Sequence, residues 1–428
     1  MKISVIGAGY VGLVTAAALA SKGHDVTVVD IDKARVEAIN RKKSPIFEEG
    51  LEDLLSSCIE SGHLRATGDY QKILATDITL ICVGTPSNPD GSMDLSYIKE
   101  CAVGIGKILA AKKGRHTVVV RSTVVPGTTK NVIIPILEQY SGKKANVDFD
   151  VAMNPEFLQE GKALQGFFNP DRIIIGEEEQ SAGDMVEKLY KGISAPVVRL
   201  DITTAEMIKF SSNAFLATKI SFINEIGNIC RRLGIDVYDV VKGISFDYRI
   251  GDRFLNAGIG FGGSCLPKDL KALVHTSRIL DYQPRLLDSV LEVNRNQILN
   301  MLRMAEKKLG TLKGKTVCVL GVAFKPNTDD VRNAPSLEVI RLLIEKGASV
   351  KAYDPMAMPN ARRVLPDKVQ YCNSAREAVN GCDAVLVITE WDEFKDENLY
   401  RGKVVFDGRR VLTTREARGQ CDYYGICW

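Results

Sequence analysis

The chain has 428 residues, enough for two or three domains with sizeable buried cores. Hydrophobic residues make up 45% of it and charged residues 25%; 56 Lys and Arg against 53 Asp and Glu leave a net charge of +3, which gives no general reason to expect a nucleic acid or an anionic membrane as partner. No run of about 18 apolar residues is present to span a bilayer, and ten cysteines without a CxxC pair, beside four histidines, suggest neither a disulfide framework nor a metal site. Residues 1–6 read as a buried strand entering a glycine turn, unlike a secretory signal, so a cytoplasmic protein with reduced thiols is expected.

The first third alternates short β-branched runs with helical stretches. Strands are expected at 2–6, 25–29, 77–83, 117–121 and 150–153, which implies right-handed βαβ units and a parallel sheet. After about Thr203 the pattern changes. Met207, Ile208, Phe215, Ile220, Phe222, Ile223, Ile226 and Ile229 recur at helical spacing, with no Gly or Pro before Gly227. One long helix to Leu233 is expected, apolar around much of its girth, and so deeply buried or part of a subunit interface. The last third restarts the first pattern. A strand at 315–320 precedes Gly321, a helix covers 336–346, a second strand at 349–353 ends at Asp354, and further strands follow at 384–389 and 403–406. The fold class is α/β, with a separate sheet on either side of the long helix.

Gly7-Ala8-Gly9-Tyr10-Val11-Gly12 is a GxGxxG between a strand and an apolar helix. The first glycine permits the tight turn, the second lets a pyrophosphate approach, and the third allows close helix–strand packing. Asp30 ends the second strand, where an acidic side chain accepts hydrogen bonds from an adenosine ribose and repels a 2′-phosphate, favouring NAD over NADP. Thr85 and Thr123 follow two later strands, at the edge where open α/β sheets bind ligands; ordinary turn or cap hydroxyls are the alternative there.

The segment GFGGSCLPKD at 260–269 carries the most chemistry. Its glycines allow close approach to the backbone. Pro267 fits the first turn of a helix, which places Cys265 at or near a helix N-terminus with Lys268 close by. Both features favour a thiolate. A thiolate beside a hydride acceptor suits aldehyde-to-acid chemistry, because a thiohemiacetal can lose a second hydride to give a thioester. A buried structural cysteine is the competing reading, and the nine other cysteines are given it. Lys209 and Asn213 lie four apart on one face of the long helix and could stabilise an oxyanion.

These motifs resemble the UDP-glucose/GDP-mannose dehydrogenase family almost end to end. They include VGTP at 83–86, STVVPGT at 122–128, NPEFLQEG at 154–161, PDRIIIG at 170–176, AEMIKFSSNAFLATKISFINE at 205–225 and GVAFKPNTDDVRNAP at 321–335. The resemblance implies two Rossmann-like doubly wound domains joined by a long central helix. Residues 1–200 would bind NAD, 201–300 would form a helical dimerisation region carrying the catalytic cysteine, and 301–428 would bind the UDP-sugar. It further implies Cys265 as nucleophile, Lys209 and Asn213 at oxyanionic intermediates, Asp269 and Thr123 in water positioning or proton transfer, and Glu156 in general-base work. Arg35, Thr85, Glu160, Lys268 and Arg332 would lie at the cofactor. Phe157, Leu158, Glu160, Phe254, Leu255, Asn256, Gly258, Gly262 and Lys325 would meet the substrate together with Lys209 and Asn213, and Arg249 would reach the sugar site of a neighbouring subunit.

Arg249-Ile250-Gly251 followed by Phe254-Leu255 looks like the UDP-glucose branch of that family, which implies UDP-glucose as substrate, UDP-glucuronate as product and a homodimer or higher homo-oligomer. The alternatives are a GDP-mannose or other nucleotide-sugar enzyme, a two-electron hydroxyacid dehydrogenase, and a non-enzymatic NAD-binding protein. The last two have no use for an activated thiol. The second half lacks a GxGxxG, since Gly321-Val322-Ala323-Phe324 interrupts it, so a second dinucleotide there is not expected.

Overall fold

The computed structural model describes residues 1–428, which divide into two units, Met1–Ser212 and Asn213–Trp428. The first holds an eight-stranded sheet of β1 (Lys2–Ile6), β2 (Asp25–Val29), β3 (Leu64–Thr67), β4 (Ile78–Ile81), β5 (Thr117–Val120), β6 (Asp150–Met153), β7 (Ile173–Glu177) and β8 (Val197–Leu200), in the order β3-β2-β1-β4-β5-β6-β7-β8. Strands β1, β2, β4, β5 and β6 are buried almost throughout, as their largely apolar runs require of a sheet covered on both faces. Helix α1 (Tyr10–Ser21) buries everything from Gly12 to Ala20, its alanines letting it lie close on the sheet.

The strands expected from the sequence pair in parallel, and the sheet continues beyond them with one reversal: β7 runs antiparallel to β6, and β8 then runs parallel to β7. Strand β7 opens beyond the carboxyl end of β6, since Met153 pairs with Gly176. Its Gly176 packs against the start of the long helix, where an added Cβ would lie 2.6 Å from that of Ala205.

The second sheet joins β9 (Thr316–Leu320), β10 (Ser349–Tyr353), β11 (Gln370–Tyr371), β12 (Ala384–Val387), β13 (Val404–Asp407) and β14 (Asp422–Gly425) in the order β11-β10-β9-β12-β13-β14, all parallel. Both sheets therefore share the doubly wound order about their first strand. The remaining helices that matter to function are α2 (Lys33–Asn40), α3 (Ala163–Phe168), α4 (Ile202–Leu233), α5 (Leu266–Ile279), α6 (Arg285–Leu309) and α7 (Pro335–Glu345).

The long helix α4 is more one-sided than its composition suggests. Phe210, Ala217, Ile223 and Cys230 are buried, whereas Phe215 is 65%, Phe222 52%, Ile229 50% and Leu233 67% exposed. Phe215, Phe222 and Ile229 recur every seven residues and so form one stripe. No helix of the chain is long and apolar enough to cross a membrane.

Asp354, at the end of β10, shows what the second sheet does with the position that Asp30 holds in the first. Its Oδ2 accepts the N–H groups of Val322 at 2.7 Å and Ala323 at 2.9 Å and the Trp391 indole N–H at 3.0 Å. Its Oδ1 accepts Met356 N at 2.9 Å and Ala357 N at 2.8 Å. The carboxylate is buried and has become a staple for three loops. Replacing it with alanine orphans these donors. At roughly 1–3 kcal/mol for each buried group left unpaired, Asp354→Ala should lower stability by at least about 3 kcal/mol, read by urea unfolding. Both tryptophans, Trp391 and Trp428, lie in this unit and report its unfolding.

Candidate active site

In the first unit the three motif glycines have separable roles. Gly7 has φ +101°, and a Cβ there would meet the Cys82 carbonyl oxygen at 2.8 Å. A Cβ on Gly12 would sit 1.9 Å from the Gly7 oxygen, so helix and turn touch. Around Gly9 there is open space, the approach that a pyrophosphate needs at the N-terminus of α1, beside Tyr10 and Val11. Asp30 accepts Ala8 N at 2.5 Å through Oδ2 and Asp32 N at 2.8 Å through Oδ1. An ionised carboxylate has about four acceptor sites, so both oxygens keep capacity for a ribose. Arg35, on α2, pairs with Asp32 at 3.4 Å. These residues fit a dinucleotide; the sealed Asp354 in the second unit does not.

Thr85 donates to the Thr123 carbonyl at 2.7 Å, tying the ends of β4 and β5 together, so the turn-hydroxyl alternative describes part of its work. The Thr123 turn is held from α4. Glu206 accepts Gly127 N at 2.6 Å and Thr129 N at 2.8 Å, and burial pushes its carboxyl up to about 6 despite those bonds.

Lys209 and Glu156 form an ion pair at 3.2 Å with both side chains buried, a pairing that no sequence spacing announces. Glu156 Oε2 also accepts Leu158 N at 2.6 Å. The Phe157 ring lies under two cations, the Arg172 guanidinium at 3.9 Å and Lys209 Nζ at 5.3 Å. Arg172 in turn reaches Ser212 at 3.2 Å. Glu160 belongs to the same irregular loop.

In the second unit Cys265 is the N-cap residue of α5, as its setting predicts, and it is exposed. Ser264 Oγ lies 3.4 Å from its sulfur. Asp269, one turn along, accepts Asn213 Nδ2 at 2.6 Å and Lys268 Nζ at 2.7 Å. Lys268 is therefore shared with a carboxylate, and Asn213 is oriented by the same group.

The glycines before the cysteine make room for the protein's own backbone. A Cβ on Gly258 would lie 2.3 Å from the Gly408 oxygen, and one on Gly262 would lie 2.4 Å from the Asn333 oxygen. Side chains then satisfy the loop. Asn224 accepts Gly258 N at 2.7 Å, Gln297 donates to Gly258 O at 2.7 Å, and Asn294 brackets Phe261 through N at 2.7 Å and O at 3.0 Å. Arg409 donates to Gly260 O and Asn333 to Gly263 O, at 3.0 and 3.2 Å. Asn224, Asn294, Gln297 and Arg409 were not anticipated. The i, i+3 spacing of Asn294 and Gln297 on α6 was the available signal. Asn224 keeps its Nδ2 buried without a partner.

Around this loop, Leu255 is buried and Asn256 exposed, while Phe254 takes a left-handed φ of 63°. Arg249 and Arg332 are both exposed, each chelated by an aspartate two residues earlier. Arg249 meets Asp247 at 2.9 and 2.5 Å, and Arg332 meets Asp330 at 2.9 and 2.6 Å. Lys325 Nζ lies 5.4 Å over the Phe324 ring.

Three family models match in succession. The NAD binding domain of the UDP-glucose/GDP-mannose dehydrogenase family covers residues 1–194, its central domain 203–296 and its UDP binding domain 318–414. The chain is 45% identical to the UDP-glucose 6-dehydrogenase AglM of Haloferax volcanii, over 97% of this chain and 98% of that one. It is also 45% identical to a GDP-mannose 6-dehydrogenase of Pseudomonas syringae pv. syringae, over the whole of both. A solved UDP-glucose dehydrogenase from the archaeon Pyrobaculum islandicum is 43% identical and superposes with a TM-score of 0.96, covering 100% of this chain and 98% of that one. The fold and the dinucleotide site together define an NAD-dependent oxidoreductase. The chain belongs to the UDP-glucose/GDP-mannose dehydrogenase family.

Two outcomes follow from this geometry. Cys265 is the one exposed cysteine, and burial pushes Cys82, Cys101 and Cys427 up to about 12 and Cys421 to about 11. Substoichiometric iodoacetamide should therefore label Cys265 first, as read by peptide mass spectrometry. The Glu206 pKa is raised on folding, so its stabilising effect is full below the unfolded value of 4.5 and lost as pH rises through about 6. Glu206→Gln should flatten that fall in wild-type melting temperature between these two pH values.

Proposed function

We propose that the chain is a UDP-glucose 6-dehydrogenase, oxidising C6 of UDP-glucose from alcohol to carboxylate in two successive two-electron steps. The observation that carries this reading is Cys265, exposed at the start of α5 in a loop clamped from several sides. A dehydrogenase that stopped after one oxidation would have no use for it. The TM-score of 0.96 with the Pyrobaculum enzyme supports the sugar nucleotide assigned, as does the segment from Arg249 to Leu255.

In this reading residues 1–200 hold NAD, residues 201–300 carry the nucleophile and the dimer face, and residues 301–428 hold the UDP moiety near Lys325. Bound NAD supplies the hydride acceptor for each oxidation. Lys209 and Asn213, one turn apart on α4, stabilise the oxyanion at C6. Cys265 sulfur adds to the C6 aldehyde to give a thiohemiacetal, and loss of a second hydride leaves a thioester. Water then attacks the thioester carbonyl, Glu156 takes its proton, and the carboxylate leaves as Cys265 recovers its thiol. Asp269 holds Asn213 and Lys268 in place throughout, Thr123 serves proton transfer, and Glu160, Lys268 and Arg332 border the cofactor. Phe157, Leu158 and the 254–258 stretch line the substrate, and Arg249 contributes to the site of a second copy.

The exposed stripe of Phe215, Phe222 and Ile229 on α4 is covered by that second copy, giving a homodimer or a higher assembly of this chain. Its place of action is the cytoplasm, where Cys265 stays reduced.

The test is NADH yield under limiting sugar, with UDP-glucose and GDP-mannose offered separately. Two NADH per UDP-glucose and none from GDP-mannose are expected. Turnover of GDP-mannose alone would move the enzyme to the branch of its Pseudomonas relative while leaving the thiol chemistry intact. Cys265→Ser should abolish acid formation; acid made at the wild-type rate would overturn the thioester route.

A further inference from the structure

The loop from Asn154 to Lys162 carries Glu156, Phe157, Leu158 and Glu160 but has almost no regular structure. A loop of this kind keeps its shape only if buried side chains satisfy its backbone. At its start, Asn154 Nδ2 donates to Ile174 O at 2.8 Å, and its Oδ1 accepts Tyr190 Oη at 2.6 Å and Arg121 Nη1 at 2.5 Å. At its end the anchor is Glu48, which comes from the turn before the helix Leu51–Glu60 and is only 6% exposed. Glu48 Oε2 accepts Gly161 N at 2.7 Å and Oε1 accepts Ala163 N at 2.6 Å. The Tyr10 phenol, from the GAGYVG turn itself, donates to Glu48 Oε2, and Gly161 N also reaches the phenol oxygen at 2.8 Å. Gly161 has φ +80°, a conformation that other residues rarely adopt. One carboxylate thus joins the first residue of α1, at the proposed pyrophosphate site, to the loop that holds the proposed hydrolytic base.

We infer that Glu48 is a positioning residue for the hydrolytic half of the reaction, fixing the 156–161 loop so that Glu156 meets the water that attacks the thioester. This rests on the assignment of Glu156 and Cys265 made above. Glu48 touches neither substrate nor the reacting atoms; it acts through Gly161 and Tyr10. Burial and the neighbouring Glu48 raise the Tyr10 phenol well above its ordinary range, which keeps it a proton donor to the latch. In Glu48→Gln one carboxylate oxygen becomes an NH2 group that must face a backbone N–H, so the loop end is released while side-chain volume is kept. Thiol addition and both oxidations do not need Glu156 as a base and should proceed.

The test is rapid-mixing NADH formation together with intact-protein mass, using wild type, Glu48→Gln and Tyr10→Phe with UDP-glucose and saturating NAD. The wild type first checks the parent assignment: if it yields one NADH per sugar, that assignment fails, whatever the variants do. Given two NADH per sugar, Glu48→Gln should show a burst approaching two NADH per site and then a steady rate roughly tenfold lower, the cost of about 1.4 kcal/mol in the slow step. Its Cys265 should carry the acyl adduct in a larger fraction of molecules than in wild type. Tyr10→Phe, which keeps Gly161 N on Glu48, should show the same pattern more weakly, and it decides alone if Glu48→Gln does not fold. Wild-type kinetics in the variants, slowing without a burst or adduct, or a rise in KM for NAD with no adduct would each overturn the inference.

Discussion

The position of Cys265 depends on how the loop before it is satisfied. The stretch from Gly258 to Gly263 runs through the interior of the second unit, against the backbones of Gly408 and Asn333. Buried amides and carbonyls there cannot turn to water, and the loop forms no ladder that would pair them. Asn224 from α4, Asn294 and Gln297 from α6, Asn333 from the turn before α7 and Arg409 from beyond β13 supply the partners instead. Two helices and two connecting segments thus converge on six residues of backbone. The thiol at the end of that stretch owes its fixed place to polar contacts, with apolar packing outside them.

The first unit solves a similar problem with charges. Its irregular loop after β6 is pinned by Asn154 at one end and Glu48 at the other, with the Lys209–Glu156 pair between. Burying such groups is costly unless each finds its partners. Here every group named has at least one within hydrogen-bond or ion-pair distance. The arrangement spends desolvation energy to hold these side chains in one geometry, a form of pre-organisation.

Much of this was legible in the sequence. The buried strands β1, β2 and β6 coincide with the short runs read as strands, α4 with its apolar period, and the N-cap place of Cys265 with Pro267. What escaped did so for physical reasons. Strand β8 lies at the sheet edge, half exposed and carrying Arg199, so it lacks the apolar run that marks a central strand. The reversal at β7 is a matter of pairing, which composition does not encode. Glu48, Asn224 and Gln297 act through contacts with residues far away in the chain, and no local spacing announces a partner more than thirty residues distant.

The contrast between Asp30 and Asp354 bears on how one strand order can serve two ends. Both aspartates close the second strand of a like-ordered sheet, but one keeps acceptor capacity while the other is consumed by its own loops. Grafting a GxGxxG turn onto β9 would therefore not create a second dinucleotide site. The designer would first have to supply other acceptors for Trp391, Val322 and Ala323, and the half-finished steps would be unstable proteins. The bonds that stabilise the second sheet are thus the same bonds that shut a dinucleotide out of it.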